Sequence, residues 1–455
     1  MESAPHIYSG NHPIAKAERR HCEQASVMKL RTVFIAVLLI PIAVIATQTY
    51  SDSGPDSFPL SLWKEHNQVT QIPWRVSVGN ARYRSDLRQE LSIWVSISPL
   101  DLKKSGDTHD VVLFARVLDG ATPIASIHSV APNVLTAFPA NLPAAPGANW
   151  TQIAIVRPGK YKLELAVFDR ATGRYSTRYE DVSVAGNEAD PLEQSFLRFP
   201  AFEFVEMVKQ DDLEPRPISS PRSISDRMNA SRMTVLAGRD LGVPTGPSPS
   251  FVINKSGRLK LSVITILSPP ESALDNTYRL SVFQDNLANF LSVFSHLDVV
   301  QGTSQLTAID LTNRTLEFDR KDLKDLTQEM LEDAINKESS TVSIDALAGQ
   351  GDRGRFFRDV LRARFEEAEK ETTGAEHVII VVAARSTFPK GSSVLPLKPE
   401  RDCFCRVIYV RFALEPNESD DIDRLLKPYK PRVFEPLDWQ EFRKDFAIIY
   451  EQLVR

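Results

Sequence analysis

The chain has 455 residues, of which 25% are charged and 42% hydrophobic, and its formal net charge is -5. That length is too great for one hydrophobic core and calls for at least two folded domains. The small negative charge, with no basic domain and no basic run interleaved with aromatics, excludes nucleic acid as the main partner.

Lys29 and Arg31 precede the apolar run Val33–Ala46. That run falls short of the ~20 residues a membrane helix needs and suits the h-region of a secretory signal. Residues 28–47 therefore read as a signal peptide or an uncleaved signal anchor. Met28 stands directly before the positive residues and reads as an alternative start, which would make 1–27 an over-extended N-terminus. Export to the periplasm, cell envelope or exterior follows, with the membrane a partner only if the segment stays uncleaved. Residues 48–70 are polar, carry Pro and Ser, and read as a tether.

From 71 to 186 short strands alternate with turn signals, the clearest being Trp74–Val78, Leu91–Ile97, Val111–Val117, Trp150–Val156, Tyr161–Phe168 and Tyr175–Val184. Along Tyr161–Phe168 the period is two: Tyr161, Leu163, Leu165 and Val167 point one way, Lys162 and Glu164 the other. About seven such strands predict an antiparallel β-sandwich of immunoglobulin-like architecture, without intersheet cysteines. Residues 187–257 are linker with partial structure, including a strand within Pro200–Met207.

From 258 to 455 the period changes. Lys260–Leu267 is an apolar, β-branched strand stopped by Pro269-Pro270. Leu280, Phe283, Leu287, Phe290, Leu291, Phe294 and Leu297 then recur at helical spacing, with Asp285, Asn286 and Asn289 placed on the other face. Gln305–Leu311 and Thr315–Phe318 predict a strand pair, and Asp322–Asn336 a helix. A short strand Thr341–Ile344 and a charged helix Arg355–Lys370 follow. His377–Ala384 and Arg406–Ala413 are continuous apolar runs of the kind found in central parallel strands. Asp420–Lys427, Arg432–Glu435 and Asp438–Val454 close the chain as helix, strand and amphipathic helix. Strands alternating with helices predict a doubly wound, Rossmann-like α/β domain, with ligand sites at the carboxyl ends of its strands.

This order of elements, with the closing run from Arg432-Val-Phe-Glu-Pro-Leu-Asp-Trp to Ile-Ile-Tyr-Glu-Gln-Leu453, resembles a von Willebrand factor type A domain over 258–455. Joined to an exported β-sandwich, the chain resembles exported bacterial proteins of that kind. The resemblance implies a metal site built from Asp-x-Ser-x-Ser after the first strand, a later Thr, and an Asp after the fourth strand. Here the first loop reads Ser268-Pro-Pro-Glu271-Ser272, and the loop after Val382 reads Ala-Ala-Arg385-Ser. Two carboxylates that a hard cation requires are missing, and Arg385 would repel a cation. Ser268, Glu271, Ser272 and Arg385 thus mark a degenerate site, and no metal or other cofactor is expected.

Gly349-Gln-Gly351-Asp-Arg-Gly354 matches the G-x-G-x-x-G pattern of phosphate-cradling loops, but the strand before it is not the first of a βαβ pair, and a flexible turn is the preferred reading. Arg355, Arg358 and Arg362 form a helix stripe that Glu366, Glu367 and Glu369 balance. Cys403 and Cys405 read as a disulfide or thiol pair, as half of a metal site, or as two small hydrophobes before a strand. The histidines are scattered, and neither H-E-x-x-H nor G-x-S-x-G occurs. The expectation is a non-catalytic envelope scaffold or adhesion protein that binds other proteins. The alternative is a nucleotide- or anion-binding enzyme using Gly349–Gly354.

Overall fold

Alternating apolar residues decide the first half of the chain. A computed structural model describes residues 68–103, 109–130, 148–186, 190–205, 249–255, 257–274, 276–340, 352–370, 374–388, 397, 405–414 and 419–455. All of them lie in the second of two compact units, Met1–Gln48 and Thr49–Arg455. The run Val33–Ala46 and the strand expected at Thr341–Ile344 fall outside the described residues. No described helix is long and apolar enough to cross a membrane.

The fold is mixed α/β, with antiparallel and mixed sheets. The first half holds strands β1 (Arg75–Val78), β2 (Arg82–Tyr83), β3 (Gln89–Ile97), β4 (Val111–Asp119), β5 (Thr122–Val130), β6 (Ala148–Val156), β7 (Gly159–Asp169), β8 (Arg174–Val184) and β9 (Phe202–Val205), with short helices α1 (Pro99–Lys103) and α2 (Glu193–Phe196). One antiparallel sheet runs β1-β3-β6-β9 with β2 also on β3, and the other runs β5-β4-β7-β8. Leu91, Ile93 and Val95 from the first meet Leu163, Leu165 and Val167 from the second in one core. β5 is not among the six clearest strands of the sequence and carries Pro123. As an edge strand beside β4 it has one side free of ladder partners, where a missing N–H costs little. Glu164 departs from the simple alternation: it faces away from the core yet is fully buried, its carboxylate accepting from Arg116 Nε at 2.6 Å.

The second half adds β10 (Phe251–Ile253), β11 (Leu259–Ile266), α3 (Glu271–Leu274), α4 (Thr277–Ser295), β12 (Leu297–Val299), β13 (Gly302–Asp310), β14 (Thr315–Asp322), α5 (Gln328–Ser340), α6 (Arg353–Glu369), β15 (Glu376–Ala384), β16 (Cys405–Phe412), α7 (Asp421–Leu426), β17 (Arg432–Phe434) and α8 (Trp439–Val454). Its six-stranded sheet is ordered β14-β13-β11-β15-β16-β17, parallel except for β14. Both faces are covered. On β15, Val378, Ile380 and Val382 join the core beneath α4 and α8, whereas Ile379, Val381 and Ala383 join the core beneath α6 and α7. That double burial is why the strand reads as an unbroken apolar run. Gly302 starts β13 beside Leu259, where an added Cβ would lie 1.8 Å from the Leu259 carbonyl oxygen, so no larger residue fits.

Two expectations are corrected. Asn286 lies on the buried face of α4 at 3% exposure, and its Oδ1 makes no hydrogen bond; α4 is flanked by enough structure that its apolar arc is wider than the stripe of large residues suggests. The helix expected from Asp322 begins at Gln328. Asp322 instead ends β14 and caps a 3-10 turn, accepting from Lys324 N at 3.2 Å, and the Thr327 hydroxyl accepts from Met330 N at the true helix start. Two capping residues stood close together, and the later one begins the helix.

α8 carries an internal test. Burial, and then the Glu441 carboxylate one turn away, push Asp445 up from its ordinary 3.8 to about 6. A carboxyl raised in the folded state contributes most below its unfolded value, and that contribution is lost as pH rises from 3.8 through about 6. Asp445→Asn should therefore raise the urea midpoint at neutral pH, with the gain vanishing below pH 3.8. An equal gain at both pH values would contradict this assignment.

Candidate functional site

In an open α/β sheet the crevice lies where the strand order reverses, here between the carboxyl ends of β11 and β15. Of the residues expected there, Ser268 and Arg385 have their polar atoms turned to internal use. Ser268 is buried, and its Oγ accepts from Leu311 N at 2.7 Å and Thr312 N at 3.1 Å, tying the end of β11 to the β13–β14 turn. Glu271 is exposed in the first turn of α3. The Ser272 carbonyl accepts from Arg279 Nη1 at 3.1 Å.

Arg385, following β15, forms an ion pair with Glu435, which follows β17. Glu435 also accepts from Arg411 Nε at 2.9 Å, and Arg411 Nη1 reaches Asp420 at 3.4 Å. Asp420 caps α7, accepting from Ile422 N at 3.0 Å, and takes the Tyr409 hydroxyl at 3.0 Å. Arg385, Glu435, Arg411, Asp420 and Tyr409 thus form one alternating chain across the ends of β15, β16 and β17. Burial pushes Asp420 up, although the Tyr409 hydroxyl and backbone donors pull the other way. Tyr409 is fully buried, and that burial, with the Asp420 charge beside it, holds its hydroxyl well above the ordinary value. Arg411 is raised despite its burial because Glu435 and Asp420 flank it. Sequence reading isolated Arg385 alone, since the other members come from β16 and the connections after it, 24 to 50 residues downstream.

Two guanidiniums therefore supply positive charge among these carboxylates, and among the described residues no group of three or more His, Cys, Asp or Glu side chains gathers as a metal site. Three large apolar side chains stand exposed after the carboxyl ends of β11 and β17: Leu274 at 56% at the end of α3, Tyr278 at 43% in the first turn of α4, and Leu437 at 59% between β17 and α8.

Of the glycine-rich stretch, Gly349 and Gly351 lie outside the described residues. Gly354 is buried within the first turn of α6 and is not a loop residue. On α6, Arg355 pairs with Asp352 at 3.5 Å and Arg358 with Asp359 at 3.1 Å, while Glu367 takes Arg320 from β14 at 2.9 Å. Arg355 and Arg358 are thus paired with Asp352 and Asp359 instead of with Glu366, Glu367 and Glu369. Cys405 is disulfide-bonded, and Cys403 lies outside the described residues.

A second polar focus was not foreseen. Arg443, on α8, is 5% exposed. Its Nε donates to Asp190 at 2.9 Å, Nη1 donates to the Leu87 carbonyl, and its guanidinium lies over Tyr83 and Phe196 at 5.0 and 4.7 Å. Leu87, at the tip of the β2–β3 hairpin, is fully buried in the core of the α/β half and has a φ of +64°. Beside this contact lies a small recess between the two halves, lined by Tyr83, Arg88, Phe196, Phe199 and Arg443. A lone Arg on an amphipathic helix reads as solvated, so nothing in the helical pattern marks Arg443 as buried.

No family model matches the chain, and no curated protein matches it. Among solved structures it is similar to proximal thread matrix protein 1 from the mussel byssus, at 12% identity and a TM-score of 0.24 over 44% of this chain and 49% of that one. It is also similar to the β-glucuronidase of Parabacteroides merdae, at 12% identity and a TM-score of 0.15 over 79% of this chain and 47% of that one. The chain thus aligns with about half the length of each.

The buried Tyr409–Asp420 bond has a measurable weight. Tyr409→Phe leaves a carboxylate whose side chain is 7% exposed without its hydroxyl donor. Urea unfolding should show a loss of about 1–3 kcal/mol at neutral pH. A change within experimental error would mean that the network is solvated and not structural.

Proposed function

We propose that this chain is an exported, non-catalytic protein-binding or adhesion scaffold of the cell envelope. In this reading an immunoglobulin-like β-sandwich is joined to a degenerate, metal-independent von Willebrand factor type A-like domain. The sheet order, with its single antiparallel edge strand, supports a doubly wound architecture. The apolar run after Lys29 and Arg31 supports export.

One observation carries the binding reading. At the carboxyl edge Ser268, Arg385, Arg411, Asp420 and Glu435 are bonded to neighbours, while Leu274, Tyr278 and Leu437 are exposed. Polar atoms committed to neighbours orient no small substrate. Exposed large apolar side chains beside a polar network are the composition of a protein contact.

The test combines ligation with capture. The thermal midpoint should stay constant on adding Mg²⁺, ATP or NAD, because a ligand that binds the native state must raise it. Full-length protein tethered to a resin should retain an envelope protein that a Leu274→Ser/Tyr278→Ser/Leu437→Ser variant of equal midpoint releases. A midpoint rise of several degrees with ATP or NAD, or identical retention by the variant, would sink the proposal.

A further inference from the structure

We infer that the outward face of the β1-β3-β6 sheet, centred on Trp94, is a binding platform for an acidic saccharide, a pyranose chain that carries carboxylates. The inference concerns the first half of the chain and stands whether or not the carboxyl edge of the α/β half holds a protein.

Leu91, Ile93, Val95 and Ile97 of β3 fill the sandwich core, so the alternation of the strand turns Trp94 outward, where it is 45% exposed. An indole facing water gives up the burial that usually draws tryptophan inward. Register fixes its surroundings. Trp94 stands between Ser77 of β1 and Thr151 of β6, and the adjoining row is Arg75, Ser96 and Asn149. Five of these six are exposed, and Ser96 is half-buried. On the far side the patch is bounded, since Ser92 is 9% exposed and Ile153 beside it is fully buried. Gly79 sets the lie of the ring. A Cβ there would meet Cη2 and Cζ3 of Trp94 at 3.0 Å, so the indole lies over Gly79, along the sheet, in space that a larger residue would claim.

The patch thus holds one aromatic plane, one cation and four hydroxyl or amide groups, with no carboxylate among them. An indole face is electron-rich, and the polarised C–H groups on one side of a pyranose ring complement it. Ser77, Ser96, Asn149 and Thr151 supply the donors and acceptors that sugar hydroxyls need. Arg75 forms no ion pair among the described residues, which leaves its fork and charge for a ligand carboxylate. As diagonal neighbours Arg75 and Trp94 lie roughly 7–8 Å apart at the backbone, close enough for one sugar to stack on the indole and present its carboxylate to the guanidinium. A flat, open surface encloses a small solute poorly but accepts a chain lying across the strands. One aromatic among small polar side chains offers too little apolar area for the core of a protein contact, and a single cation too little charge for nucleic acid.

The experiment uses the full chain, with trigalacturonate as probe and maltotriose as the uncharged control. Titration calorimetry reads binding, and thermal unfolding checks that each variant folds. The expected result is saturable binding of trigalacturonate and weaker binding of maltotriose. Trp94→Ala should weaken both by at least about tenfold. Arg75→Gln removes an exposed side chain with no ion pair, so the midpoint should hold while trigalacturonate falls to the level of maltotriose. Gly79→Ala, which crowds the ring, should weaken both sugars less than Trp94→Ala does. If Trp94→Ala lowers the midpoint, Arg75→Gln decides the question. No saturable binding of trigalacturonate, maltotriose bound as tightly, or unchanged binding by Arg75→Gln or by a folded Trp94→Ala would overturn the inference.

Discussion

A single buried guanidinium holds the two halves of this protein in register. Arg443 has its charge matched by Asp190, its nitrogens used by Asp190 and the Leu87 carbonyl, and its faces covered by Tyr83 and Phe196. Removing one partner of such an arrangement leaves a buried charge behind, which costs about 3–5 kcal/mol. The Leu87 carbonyl is presented to Arg443 only because that residue adopts a left-handed backbone, which costs a bulky residue roughly 1–3 kcal/mol. Full burial of its side chain in the other half's core offsets that cost. Hairpin strain, side-chain plug and guanidinium are thus one device.

The same device accounts for continuity of the core. Phe196 packs edge-on against Phe251 at 6.0 Å, and Phe251 against Phe446 of α8 at 5.0 Å. Leu87, Leu192, Phe196 and Phe199 belong to the hydrophobic cluster of α4 and α8. Halves joined by a polar, hydrated contact would be free to move against one another, whereas an apolar junction of this kind suppresses that freedom. The carboxyl edge of the sheet and the first half's surfaces are then held at fixed spacings.

How much of this was legible depended on how local each cause is. β15 and β16 were readable because burial on both faces leaves an unbroken apolar run, and α8 because Asp438 caps a clear amphipathic period, accepting from Glu441 N at 2.7 Å. Their ends fell within a residue or two of expectation. β5, not among the strands named from the sequence, tolerates Pro123 because it lies at a sheet edge. Arg443, Leu87 and the Arg385–Glu435–Arg411–Asp420 chain were missed for a different reason. Their environment is made by residues tens to hundreds of positions away, and no spacing rule connects Leu87 to Arg443. Ser268 and Arg385 were found at the correct edge, but what each one bonds could be read only from the fold.

The central claim is that the seam makes the described halves one cooperative unit. Differential scanning calorimetry of the full chain and of Arg443→Met tests it most directly. The account predicts one transition for the native protein, with calorimetric and van't Hoff enthalpies equal, and two separated transitions for the variant. Two transitions in the native protein, or an unsplit and unshifted one in Arg443→Met, would contradict it.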